Sequence, residues 1–86
     1  MANKTQKTLR AIFANPVRAN IAWHDIMSLF VGLGAEVQQA AGSRVWVSLN
    51  GVRALFHEPH PEKEISKPAV RSVREFLINA GIEVEE

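Results

Sequence analysis

Apolar residues along this chain change from helical spacing to an alternating pattern and back again. Leu9, Ile12 and Phe13 recur at i, i+3, i+4 and predict a short helix over residues 5–14. Asn15-Pro16 should end it, because the residue before a proline is pushed out of the α region. Ile26, Leu29, Phe30 and Leu33 recur at i, i+3, i+4, i+7 and predict a second helix over 23–33 with one core-facing stripe. Asp25 in its first turn complements the helix dipole, and Gly34 suits the position just past its end. Residues 35–40 read as a weak strand at a sheet edge.

Two alternating runs, 44–49 and 52–57, then flank Asn50-Gly51. That dipeptide is the strongest short-range hairpin signal, since both central residues of a type I′ turn need positive φ. A two-residue turn also sets the register. Leu49 should face Val52, Val47 Ala54, and Val45 Phe56, which makes one apolar face. On the other, Ser48 should face Arg53, Trp46 Leu55, and Arg44 His57. The last helix begins near Ser66-Lys67-Pro68, with Ser66 or Lys67 as cap and proline tolerated in the first turn. Val70, Val73, Leu77 and Ala80 share one stripe with Phe76 beside it, Lys67, Arg71 and Arg74 share another, and Gly81 closes the helix. The order is helix, helix, three strands, helix. It predicts an α+β fold: a three-stranded antiparallel sheet with helices packed on one face.

Composition narrows the class. Eighty-six residues make one small domain, and 47% apolar content marks a folded chain. Without cysteine there is no disulfide framework and no thiolate metal site. No run resembles a signal peptide or approaches a membrane span, so a cytoplasmic protein away from membranes is expected. The formal charge is +1, and removing Glu83, Glu85 and Glu86 of the acidic tail leaves +4. That excess suits a polyanion partner and suits an ordinary surface equally.

The residues from Ala22 to Ile82 resemble the HicA-type toxins of bacterial toxin–antitoxin pairs, which are mRNA interferases. The resemblance rests on the helix ending at Gly34, Gly42-Ser43 before a hairpin, and His60 after the third strand. Lys63-Glu64-Ile65, Val70-Arg71-Ser72-Val73 and Asn79-Ala80-Gly81-Ile82 complete it. It implies a fold like a double-stranded-RNA-binding domain, an mRNA substrate, a HicB-type antitoxin protein as partner, and no cofactor. It divides the chain into an N-terminal helical extension, 1–21, and a nuclease-like domain, 22–86. In the family a Gly-Ser-His signature on the second strand carries the catalytic histidine, and here that place is taken by Arg44.

The predicted register puts a histidine beside that place, since directly opposed residues have Cβ atoms about 4.5–5.5 Å apart. Metal-free RNA cleavage needs a base for the 2′-hydroxyl, an acid for the leaving 5′-oxygen and cations around the phosphorane. Imidazole suits both proton roles, and guanidinium offers forked donors to phosphate oxygens. The candidate catalytic set is His57, His60 and Arg44. Candidate RNA contacts are Ser43, Trp46, Arg53, Lys67, Arg71 and Arg74. Each has a plainer reading: His57 as a surface strand residue, His60 as a loop residue, Arg71 and Arg74 as a solvated helix face, Trp46 as a partner anchor or as packing under the N-terminal arm. His57-x-x-His60 beside Glu58 and Glu62 lacks a third ligand at a recognisable spacing, so no metal site is expected. Two functions stand: an endoribonuclease toxin restrained by its antitoxin, and a non-catalytic RNA-binding or antitoxin-binding module without the nuclease histidine. Leu9, Ile12 and Phe13 cannot stay in water as an isolated short helix, so the arm should dock on its own domain near Trp23 as a structural extension.

Overall fold

The computed structural model describes residues 4–60 and 62–84; Glu85 and Glu86 of the acidic tail lie outside the described residues. In chain order the elements are α1 (Lys4–Ile12), β1 (Ile21–Ala22), α2 (Trp23–Gly32), β2 (Glu36–Ala40), β3 (Arg44–Leu49), β4 (Val52–His57), β5 (Glu64–Ile65) and α3 (Lys67–Asn79). The fold is α+β. Strands β2, β3 and β4 form an antiparallel sheet in that spatial order. The expected elements are all present, with helix and strand ends moved by one or two residues. The two-residue strands β1 and β5 were not expected; they pair antiparallel through Ile21 and Ile65.

The hairpin follows the predicted register at every position, from Leu49 opposite Val52 to Arg44 opposite His57. Asn50 and Gly51 have φ of 51° and 81°, the left-handed pair that a type I′ turn requires. The turn is also tied to the end of α3, where Asn50 Nδ2 donates to the Ala80 carbonyl at 2.8 Å. Both α2 and α3 stop in the same way. The Gly34 amide donates to Val31 O and the Ala35 amide to Phe30 O; the Gly81 amide donates to Ile78 O and the Ile82 amide to Leu77 O. These paired bonds satisfy carbonyls that a helix end would otherwise leave open, and they need a left-handed residue at the glycine position. At the start of α3, Ser66 is the cap and its side chain accepts from the Ala69 amide.

The alternation of β3 and β4 sends Val45, Val47, Leu49 and Phe56 into the core, with Val52 and Ala54 half-buried against it. The helix layer meets them with Ile26, Leu29 and Phe30 of α2 and Val70, Val73, Phe76 and Leu77 of α3. Phe30, Phe56 and Phe76 form a ring cluster with centroids 5.5–5.6 Å apart, one pair stacked and two edge-on. Such pairs contribute about 0.5–1.5 kcal/mol each beyond the area they bury. They join sheet, α2 and α3 at one point.

Helix α1 packs against α2, α3 and β1. Leu9 and Ile12 are 1% and 0% exposed, so the arm docks on its own chain and contributes to the core. Two features fit it there. Gly32 lets α1 approach α2 closely, because a Cβ at that position would lie 2.6 Å from Thr5 Oγ1. Arg74 of α3 reaches the other end: its Nε and Nη2 donate to the Ile12 carbonyl at 3.0 and 2.9 Å, and Nη2 also to Ala14 O at 2.9 Å. A guanidinium there meets the open carbonyls and the negative end of the helix dipole. Trp23 is half-buried at the start of α2, and its amide donates to Lys63 O at 2.8 Å.

Candidate nucleic-acid site on the outer sheet face

Among the described residues no helix covers the second face of the hairpin. Arg44, Arg53, Leu55 and His57 are exposed on it, and Trp46 and Ser48 are half-buried. The alternation that buries one set of side chains presents the other set to solvent.

Arg44 and His57 stand directly opposite each other at the open end of the hairpin. Both reach the loop that joins β2 to β3. Arg44 Nε donates to Ala41 O at 2.8 Å, and His57 Nε2 lies 3.1 Å from Gly42 O. A carbonyl only accepts, so this contact places the ring proton on Nε2 and leaves Nδ1 as the basic nitrogen of the neutral ring. The loop itself is tightly turned, with Gly42 and Ser43 at φ of 73° and 62°. The Ser43 carbonyl accepts from the Glu58 amide at 2.8 Å, and the Glu58 carboxylate lies 3.9 Å from His60 Nε2. Arg44 and His57 thus meet the loop at Ala41 and Gly42, and Glu58 meets it at Ser43 and lies beside His60. His60 has 65% of its side chain in solvent.

Farther along the face, the Arg53 guanidinium lies 4.1 Å from the Trp46 ring centroid. This diagonal pair follows from the register, since Arg53 sits two residues before Leu55, the direct partner of Trp46. The contact keeps a cation over one face of the ring.

The candidate contacts on α3 belong to a different layer. That helix packs on the inner side of the sheet through Phe76 and Phe56, with Lys67 and Arg71 exposed. Arg74 holds α1 in the way described above, a role for which the local sequence carries no signal. Among the described residues no three His, Asp or Glu side chains come together as a metal site, and no helix is long and apolar enough to cross a membrane.

Compared with known protein families, the chain matches the HicA toxin of bacterial toxin–antitoxin systems over residues 23–82. That span begins at the first residue of α2 and ends just past α3. No curated protein and no solved structure matches the chain.

Proposed function

This chain belongs to the HicA toxin family of bacterial toxin–antitoxin systems, and on that premise we propose that it is a metal-independent endoribonuclease. It cuts mRNA in the cytoplasm and is held inactive by a HicB-type protein antitoxin. The observation that carries the reading is the direct pairing of Arg44 and His57 on an uncovered sheet face.

His57 takes the proton of the ribose 2′-hydroxyl at Nδ1, the nitrogen left free by the Gly42 contact. The 2′-oxygen attacks the adjacent phosphorus, and the bond from phosphorus to the 5′-oxygen breaks. His60, 3.9 Å from the Glu58 carboxylate, acts as the acid that gives a proton to that leaving oxygen. The products carry a 2′,3′-cyclic phosphate and a 5′-hydroxyl. Arg44, fixed through Nε to the loop carbonyl, directs its terminal amino groups at the phosphorane oxygens. Electrostatic stabilisation of that kind is worth about 2.7–4 kcal/mol per well-placed donor. Trp46 stacks a base on the ring face that Arg53 leaves open, with Arg53 and the Ser43 hydroxyl holding flanking phosphates; Lys67 and Arg71 add cationic charge on the helix layer, away from that face. Arg74, committed to the carbonyls of Ile12 and Ala14, has a structural role.

A second reading is favoured by one observation. Arg44 and His57 both engage the β2–β3 loop, as they would if their task were to shape that loop. The chain would then be a non-catalytic RNA-binding or antitoxin-binding module. Expression of the chain alone in a bacterial host separates the two. Growth arrest that His57→Ala relieves supports the nuclease. Arrest that persists when His57 and His60 are both replaced by alanine removes the histidine mechanism.

A further inference from the structure

The first twenty-four residues contain Lys4, Lys7, Arg10 and Arg18 and no carboxylate; the first acidic residue is Asp25. The formal +1 of the whole chain is therefore a +4 arm joined to a remainder of −3, six cations against nine carboxylates. Folding gathers the four cations of the arm instead of dispersing them. They line a groove of about 760 Å³ between α1 and the segment leading into β1, together with Asn20 and Asp25. Asp25 is the one carboxylate among the lining residues, and it is engaged by Lys4 Nζ at 2.9 Å. Lys7 and Arg18 are exposed at the groove.

We infer that this groove is a second RNA contact, one that grips the phosphate backbone outside the sheet face; the inference rests on the RNA-cleaving reading above. Two features favour RNA over a protein segment. The cations are long, exposed side chains on one wall each of a helix and an extended segment, an arrangement that positions phosphates without reading bases. The groove is also linked to the candidate centre through the backbone: β1 forms part of its wall and pairs with β5, which closes the loop begun at His57 and His60. The charge asymmetry of the chain draws a polyanion to the arm. The arm then has a chemical task besides filling the core, and it lies before the span matched by the family.

The test is binding of a short 2′-O-methyl RNA, which lacks the 2′-hydroxyl needed for cleavage, to the full chain and to Lys7→Ala/Arg18→Ala. The two positions are exposed, and equal melting temperatures check that the fold is unchanged. Each lost phosphate contact removes about 0.7 from the slope of log K against log salt for a single strand. The double variant should show a slope shallower by about 1.4, and affinity lower by roughly 10- to 25-fold near 0.1 M salt. Wild-type binding with an unchanged slope in the variant overturns the groove and leaves the sheet-face reading standing. No RNA binding by the wild-type chain overturns both.

Discussion

Asn50 is the residue on which most of the fold's order depends locally. It supplies the first left-handed position of the turn and donates to the carbonyl of Ala80, the C-cap of α3. Replacing it separates the two roles. Asn50→Gly keeps the backbone conformation and loses the side-chain bond, a cost of about 0.5–1.5 kcal/mol. Asn50→Ala loses the bond and also forces a Cβ into the left-handed region, adding about 1–2 kcal/mol. Urea unfolding should therefore rank Asn50 above Gly and Gly above Ala; an alanine variant as stable as the glycine variant would show that the turn is not held left-handed. Arg74 illustrates what a local pattern does not contain. Its spacing with Lys67 and Arg71 reads as a cationic stripe, yet its partners are carbonyls some sixty residues away in sequence. Neither a phosphate contact nor a solvated face foresees them, because only the packed tertiary structure brings the end of α1 to α3. The opposition of Arg44 and His57 was legible, since a two-residue turn sets every pair on the hairpin. Their attachment to the Ala41 and Gly42 carbonyls was not, because the loop conformation that turns those carbonyls toward them has no signature in the sequence.

Among the elements, the long ones were visible in their periods and the short ones were not. Four apolar positions at i, i+3, i+4 and i+7 mark α2, and six alternating positions mark each strand of the hairpin. β1 and β5 are two residues each, too short to show any period, and Ile21 and Ile65, which they pair, are buried in the core. α1 was expected to dock, because its three apolar residues are too many for a solvated short helix. What determines the fit is the small residue it meets. Gly32→Ala should lower stability by about 1–2 kcal/mol through overpacking against Thr5, even though alanine is favoured in a helix by about 1 kcal/mol. Thr5→Ala removes the obstructing Oγ1 and leaves the nearest remaining side-chain atom, Cβ, at 3.6 Å. The Thr5→Ala/Gly32→Ala pair should recover the lost stability, a coupling that thermal unfolding of the two single variants and the double variant measures. A double variant no more stable than Gly32→Ala alone would mean that α1 does not sit on α2 at this point.

At the scale of the molecule, one sheet separates two environments. Its inner face is closed by α2 and α3 around the phenylalanine cluster, and its outer face carries Arg44, Trp46, Arg53 and His57. The strict alternation of β3 and β4 makes both statements one, since a register slip of a single residue would exchange the faces. In the proposed mechanism the exposed pair of Arg44 and His57 is the cutting centre, with histidine one strand across from the family position. Cleavage of an mRNA by the purified full chain, in the presence of EDTA and read as the appearance of 2′,3′-cyclic phosphate ends, tests it most directly. General acid–base catalysis by one side chain contributes about 10²–10⁴-fold, so His57→Ala should lose that much rate while binding 2′-O-methyl RNA as the wild type does. Cleavage by His57→Ala at the wild-type rate would place the chemistry elsewhere on the molecule.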